Sequence, residues 1–327
     1  MMVRSGDPRR LKSPQARYAA RAAQAMGYVF RSLDGDDGYL FEVRDGACKA
    51  VFASGAGTPY ALNDARAASI ARDKAFCAVV LREAGIPVLP GEMFFVTERW
   101  SEMRGSRREP ADALLYAQSA RYPIFCKPIS ASNGLYAEII DSADEFAEYM
   151  QRVSREHFAV LIQPLVRAPE HRVFVLKDRP LFSYEKTRPA VVGDGKCTFA
   201  DLVKALPREA GAPPLKPRGR NASGRKVAPP EVPEPGAVVT LDGPANRAAG
   251  GGASALRDGA PPPLAEIAVN AARAIGLSLA AVDIFDGDSG PVVIEVNSNP
   301  MIATLEDAGR WDLIIEIWRA NIEAALS

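Results

Sequence analysis

Apolar and polar positions along the chain alternate between two periods, and the changes of period mark out the elements. Pro14 to Met26 has helical spacing and stops at Gly27. Tyr28-Val29-Phe30, Tyr39 to Val43 and Lys49 to Phe52 read as strands, punctuated by the turn residues Asp34 to Gly38 and Asp45-Gly46. A long helix is predicted from about Asp64 to Glu83, with Asp73-Lys74 on its middle turns and Gly85 at its end. Glu92 to Val96 is strand-like, Ala111 to Ala120 a short helix, and Tyr122 to Pro128 a strand that ends on Lys127. Leu135 to Ile140 is a further strand, and Ser142-Ala143-Asp144-Glu145 opens a helix to about Arg155 with a capping box. Val160 to Val166 is an apolar strand interrupted by Pro164, and His171 to Leu176 with Leu181 to Lys186 predicts a hairpin. The last helix, Arg310 to Leu326, is amphipathic and offers Trp311, Leu313, Ile314, Ile317 and Trp318 for packing.

One stretch departs from this pattern. Residues Arg208 to Pro262 are crowded with Pro, Gly, Ala and Arg and show little periodicity, apart from a strand-like Ala237 to Leu241. A segment of that length predicts a lid, an insertion or partial disorder. A helix from Pro263 to Ile275, closed by Gly276, leads out of it.

Two strand-like runs follow, Leu279 to Phe285 and Val292 to Val296, joined by the turn sequence Asp286-Gly287-Asp288-Ser289-Gly290. Glu295 and Asn297 lie two apart and so share a strand face. Pairing the runs places Asp283 beside them. Flanking apolar residues argue against a water-facing edge strand. Buried carboxylates without a partner are costly, and a hard cation such as Mg²⁺ relieves that cost.

Composition narrows the options. Of 327 residues 47% are hydrophobic, which supports a sizeable core and more than one lobe. Lys plus Arg and Asp plus Glu balance at 40 each, so net charge does not steer the chain to nucleic acid or to an anionic membrane. The basic runs Arg4 to Lys12 and Lys216 to Lys226 read as a solvated tail and loop. Cys48, Cys77, Cys126 and Cys197 are scattered without a CxxC pair, and with two histidines they argue against zinc and for a reducing cytoplasm. No apolar run reaches membrane-spanning length.

Three local features point toward a nucleotide. Lys127 closes a strand directly before Ile129-Ser130-Ala131-Ser132-Asn133-Gly134, whose backbone N–H groups can cradle phosphate. The spacing is not that of a P-loop, and a solvated strand-end lysine is the plainer alternative. Gln163-Pro164-Leu165 interrupts a strand ahead of Glu170, so backbone groups there can read an adenine edge and Glu170 can accept from ribose hydroxyls. The Asp283, Glu295 and Asn297 set is the third.

In this order the segments resemble the ATP-grasp ligase superfamily, closest to the ligase domain of cyanophycin synthetase and of the bifunctional glutathione-synthesising enzymes. The carrying pieces are Asp73-Lys74 with Ala84 to Gly91, Phe125-Cys126-Lys127-Pro128 with its loop, Arg172 to Leu176, and Val191 to Thr198. Asn246 to Gly251 and Ala281 to Pro300 complete the series. The resemblance implies an α+β ATP-grasp fold with a short N-terminal α/β module over residues 1–66. An N-lobe over 67–166 and a C-lobe over 167–327, carrying the 208–262 insertion, would grip ATP.

It further implies that Lys74 and Lys127 contact the ATP phosphates and adenine. Ser130, Ser132, Asn133 and Gly134 would cover the phosphates, Gln163 and Leu165 bind adenine through the backbone, and Glu170 bind the ribose. Lys186 would lie near the γ-phosphate, with Asp283, Glu295 and Asn297 holding Mg²⁺, Mn²⁺ being the alternative. Asn246, Arg247, Gly250 and Gly251 would stabilise an acyl phosphate and its tetrahedral successor. The implied activity is ADP-forming ligation of a carboxylate to an amine, small molecules of amino-acid or peptide type, with no nucleic acid or membrane partner. A kinase on the same fold and a nucleotide-binding regulator are the rivals, and a homodimer is left open. Pro164 and the glycine-poor phosphate loop depart from the family pattern.

Overall fold

The computed structural model describes residues 10–55, 58–131, 134–206, 216–220, 226–242, 245 and 251–327. Helix α1 (Pro14–Met26) begins where Ser13 caps it, the hydroxyl accepting from the Ala16 N–H, and ends at Gly27 with φ 75°. Strands β1 (Val29–Ser32), β2 (Leu40–Asp45) and β3 (Cys48–Ala53) form an antiparallel sheet in the order β1-β2-β3.

The helix expected over 64–83 is instead two, α2 (Ala65–Arg72) and α3 (Lys74–Glu83). Asp73 makes the break. Its carboxylate accepts from the N–H groups of Ala75 and Phe76, offering the backbone an alternative to continued helix. With ψ at 104° at Asp73, the Lys74 N–H turns away and donates to the Ile129 carbonyl at 2.9 Å.

The N-lobe comprises β4 (Glu92–Phe95), α4 (Pro110–Ser119), β5 (Ile124–Pro128), β6 (Glu138–Ile140), α5 (Ala143–Val153) and β7 (Ala159–Pro164). Its antiparallel sheet runs β4-β7-β5-β6. One face, with Phe94, Cys126, Val160 and Ile162, packs on Phe146, Tyr149 and Met150 of α5. Strand alternation turns Lys127, Leu161 and Gln163 to the other face, and Lys127 pairs with Leu161 in the register.

The C-lobe opens with β8 (Glu170–Leu176), β9 (Arg179–Thr187), β10 (Ala190–Val192) and α6 (Phe199–Ala205). In the described part of the Pro/Gly-rich stretch lie β11 (Lys216–Arg220), β12 (Lys226–Val227), β13 (Val238–Asp242), β14 (Gly252–Ala253) and β15 (Arg257–Asp258). Strands β10-β13-β11-β12 make a small sheet with α6 against it, through Val191, Phe199, Val203 and Leu241. Lys226 ties that sheet to the N-lobe, bonding Asp141 at 3.0 Å and also Glu145.

Helix α7 (Pro262–Ile275) ends at Gly276 with φ 88°, and β16 (Leu279–Gly287), β17 (Gly290–Asn297), α8 (Ala303–Asp307) and α9 (Trp311–Leu326) complete the chain. The main sheet has the order β14-β9-β8-β16-β17, with β15 on β9. One face, through Val173, Val175, Val282 and Ile284, packs on α7 and the α2–α3 pair. The other, through Phe174, Phe182, Leu279 and Ala281, shares a core with α1, the β1-β2-β3 sheet and Trp318 of α9. Val88 bridges to Val293 in parallel, and Leu89 N–H donates to the Val293 carbonyl at 2.9 Å, which fastens the connection between lobes to β17.

Candidate active site

The site follows from a change of composition along one face of the main sheet. On β8 the residues of that face read Glu170, Arg172, Phe174, Leu176; on β9, Phe182, Tyr184, Lys186; on β16, Leu279, Ala281, Asp283. The apolar ends lie against the N-terminal helix and sheet. The charged ends continue past that cover and lie side by side. The register sets Glu170 against Lys186, Arg172 against Asp283, Asp283 against Glu295, and Ala281 against Asn297. A register shift after Asp283 gives β17 one extra residue, so Val293 and Val296 face the α7 side while Glu295 stays with the charged set.

The charges pair off. Arg172 grips Asp283 with two bonds, Nε to Oδ1 at 2.6 Å and Nη2 to Oδ2 at 2.7 Å. Lys186 bonds Glu170 and reaches Asp283 Oδ2 at 3.3 Å. From the N-lobe, Lys127 Nζ lies 3.5 Å from Glu295 Oε2, and from the start of α3 Lys74 Nζ lies 3.8 Å from the same oxygen. The network thus sets Lys74, Lys127, Arg172 and Lys186 against Glu170, Asp283 and Glu295, one cation more than carboxylates.

Burial and charge compete at each group. Burial raises the Glu295 carboxyl, but Lys74, Lys127, Lys186 and Arg172 outweigh it and hold the group well below the usual carboxylate range. Burial lowers the Lys127 ammonium, and Glu295 offsets only part of that. Glu170 is raised, by burial first, against the opposing charge of Lys186. Lys186 is raised, because Asp283 and Glu170 outweigh its burial.

The remaining residues expected at the site are distributed around this network. Lys74 Nζ also donates to the Ala131 carbonyl at 2.9 Å, so it reaches into the loop after Lys127. Ser130 in that loop is exposed, and Gly134 ends it at φ 72°. Gln163 is buried, with its Nε2 3.5 Å from the Leu89 carbonyl. Gly91 faces it, and a Cβ there would lie 2.9 Å from Gln163 Cγ, so the close approach requires glycine. Leu165 is half-buried just past β7. Gly251 precedes β14, whose Gly252 and Ala253 pair with Thr187 and Lys186. Ser132, Asn133, Asn246, Arg247 and Gly250 lie outside the described residues.

Arg172 has no assigned role in the sequence reading. It stands there only within the His171 to Leu176 strand and as the first residue of a segment that carries the resemblance. The available signal is its spacing of two from Glu170, which puts both on one face, together with a lone acid at the middle of a neighbouring apolar strand.

Among the described residues no group of three or more His, Cys, Asp and Glu side chains can hold a metal ion by itself. Asp283 is fully engaged by Arg172, whereas Glu295 meets its lysines at longer range, and the Asn297 Nδ2 makes a 3.4 Å bond to the Ala281 carbonyl, leaving its amide oxygen for a ligand. This donor set fits a hard divalent cation shared with phosphate oxygens, the usual manner of Mg²⁺, rather than an all-protein cage.

Comparison with known proteins agrees with this architecture. Residues 246–320 match the family model of the RimK-like ATP-grasp domain. The chain is 29% identical over 218 residues to the glutathione biosynthesis bifunctional protein GshAB of Mannheimia succiniciproducens, covering 56% of this chain and 28% of that protein. It is 27% identical over 256 residues to cyanophycin synthetase of Geminocystis herdmanii, covering 71% and 28%. The crystal structure of a bifunctional glutathione synthetase from Pasteurella multocida superposes with a TM-score of 0.50 at 20% identity, over 93% of this chain and 43% of that one. The chain has the ATP-grasp fold, as the resemblance in its sequence implied. It spans less than a third of the length of these two curated relatives.

Proposed function

We propose that the chain is an ATP-dependent, ADP-forming ligase that joins a carboxylate to an amine, both small molecules of amino-acid or peptide type. The observation that carries this reading is the charged half of the main-sheet face. It is closed by Lys127 from the N-lobe and Lys74 from the start of α3 and holds one cation in excess of its carboxylates. Such a surface suits a polyphosphate that leaves with more charge on its bridging oxygen than it brought. The curated relatives named above, by their titles, make glutathione and cyanophycin.

In this mechanism Lys74 and Lys127 hold the phosphates from above, and Lys186 faces the transferring phosphoryl group from β9. The substrate carboxylate oxygen attacks the γ-phosphorus, the bond to the β-bridging oxygen breaks, and ADP and an acyl phosphate result. The amine nitrogen then attacks the acyl carbon, inorganic phosphate departs, and the nitrogen loses a proton as the amide forms. Glu295 and Asn297 would hold a divalent cation, Mg²⁺ in this reading, which supplies charge screening between the phosphates. Arg172 holds Asp283 fixed beside them with its two bonds. Catalysis then rests on positioning and electrostatics. In this reading Gly251, which leads into the strand paired with Lys186, approaches the acyl group with its backbone. The four cysteines are free thiols, which suits a reducing cytoplasm.

The test is ADP release across paired acids and amines, with mass spectrometry of the product. A condensed amide, lost in Glu295→Ala with the fold retained, is the expected result. A stable phosphorylated product, or nucleotide binding without turnover across a broad panel, overturns it.

A further inference from the structure

We propose that a pocket beside the charged cleft, between β4, the start of β7 and the first turn of α3, binds a small organic anion: a carboxylate carried on an aromatic or branched apolar group. The pocket holds about 620 Å³. Phe76, Met93, Phe95 and Phe158 make its apolar lining, and Arg104 and Arg108 its cationic part. A mostly apolar lining with a few convergent polar groups is the usual make-up of a small-molecule site.

Arg104 is the decisive residue. Its side chain is 7% exposed. Its guanidinium lies 3.8 Å from the centre of the Phe95 ring and 5.4 Å from that of Phe158. Nη2 donates to Glu109 Oε2 at 2.6 Å and to the Thr97 carbonyl at 3.0 Å, which fixes the group in place. Among the described residues Nε and Nη1 have no hydrogen-bond partner, and neither does the buried hydroxyl of Thr97. A buried donor left unsatisfied carries its full desolvation cost, and an anion accepting from a guanidinium already held in position recovers it at little loss of side-chain freedom. Phe158, 38% exposed, is the ring that can turn to admit the anion.

The acceptors near the pocket are already engaged. Glu109 and Asp73 match the two arginines in number, but Glu109 is bound to Arg104 Nη2 and Asp73 spends its carboxylate on the Ala75 and Phe76 N–H groups. What the pocket offers beside its rings is therefore guanidinium donors, which select a carboxylate over a neutral ligand of the same shape.

The pocket is separate from the cleft, since Lys74, Lys127 and Glu295 do not line it. It nevertheless shares a wall with it. Asp73 directly precedes Lys74, and Ile129 opens the loop after Lys127. The Lys74 N–H to Ile129 carbonyl bond joins the two. A ligand packed on Ile129 bears on the position of Lys74. The same chemistry suits either a substrate or an effector.

Calorimetry on the full chain without nucleotide tests the site, with 3-phenylpropionate as probe and 3-phenylpropan-1-ol as its neutral counterpart. Saturable one-to-one binding of the acid is expected, with the alcohol at least tenfold weaker. Arg104→Leu should weaken the acid at least tenfold. Phe76→Trp, at an exposed position that leaves the Arg104 bonds alone, should weaken it by crowding the pocket while melting like the wild type. Lys127→Ala should bind the probe undiminished. No binding by the wild type, equal affinity for acid and alcohol, retention in both pocket variants, or loss in Lys127→Ala each overturns the proposal. With ATP and amines added, acid-dependent ADP release identifies a substrate, and a changed ATP affinity without consumption of the acid identifies an effector. Either supports the site, and the nucleotide-free arm stands or falls independently of the ligase reading.

Discussion

Asp283 and Glu295 are directly opposed across the β16–β17 pair, yet they answer to different cations. Asp283 is 1% exposed and gripped by Arg172 from within the same sheet; Glu295 is approached from outside it, by Lys127 of the N-lobe and Lys74 of α3. Like charges set opposite each other in a sheet are unfavourable. Here cations from two directions separate the pair, so the two carboxylates have unequal duties. One is a fixed part of the sheet, and the other is the point where the lobes meet.

Removing the fixed cation should cost stability. Arg172→Met leaves the buried Asp283 with Lys186 alone, and breaking a buried pair in this way is expected to lower the unfolding free energy by about 3 kcal/mol. Adding Asp283→Asn to that variant should restore part of it, because the uncompensated charge is gone. Urea denaturation measures both. An unchanged midpoint in Arg172→Met would falsify the account of that pair.

Nucleotide affinity should depend on the protonation of Lys127. Burial lowers its ammonium below the ordinary lysine value of 10.5. The charge is fully present below the lowered value and is lost as pH rises through it. ADP binding is therefore expected to weaken on the alkaline side before a solvated lysine would titrate. Lys127→Arg, whose guanidinium stays charged, should flatten the profile from neutral pH into the alkaline range. Calorimetric titration over that range decides it; a flat wild-type profile contradicts the reading.

Asn63 should matter to the site without touching it. Its carbonyl oxygen accepts from Ser278 and Leu279 N–H, each at 3.0 Å, and its amide donates to the carbonyls of Leu279 at 2.8 Å and Ser298 at 2.9 Å. It thereby clasps the entry to β16 and the exit from β17. Asn63→Ala leaves buried backbone groups unsatisfied and is expected to cost about 2–3 kcal/mol. Hydrogen exchange at Leu279 should speed up in that variant; protection equal to the wild type would refute the clasp.

The thiols should divide into two classes. Cys77 is pushed up to about 12 by burial, and burial raises Cys126 as well. Cys48 and Cys197 are exposed, and the Cys197 thiol is raised by its hydrogen bond to Asp194. With a disulfide reagent at pH 8, Cys48 should react first and Cys197 more slowly. Cys77 and Cys126 should react only on unfolding. Early modification of either buried thiol would contradict this packing.

The hairpin that places Asp283 against Glu295 was legible in the sequence because both strands are apolar runs around a lone polar residue, joined by a strong turn. The order of segments likewise announced the ATP-grasp fold. The break at Asp73 was not legible, since local spacing on both sides is helical and only the bond from Lys74 to Ile129, 55 positions away, shows why the helix stops. Arg172 was hidden for a related reason. Its role comes from the cross-strand register with Asp283, 111 residues later, which alternation within β8 does not encode. The Arg104 pocket is more remote still, assembled from α3, β4, a loop and the start of β7.

The strands that carry the charged residues also bury the N-terminal helix and sheet at their opposite ends, where Phe174 stacks on Phe182 at 4.1 Å and Trp318 of α9 touches Phe41, Phe52 and Tyr60. The first and last segments of the chain are thus sewn to three of the strands that carry the site, β8, β9 and β16. A graft of this site onto another scaffold, or a hybrid that exchanges the first sixty residues for those of a relative, must bring α9 along. Otherwise it trades a sealed seam for a strip of bare aromatic surface, and aggregation would be the first symptom to look for.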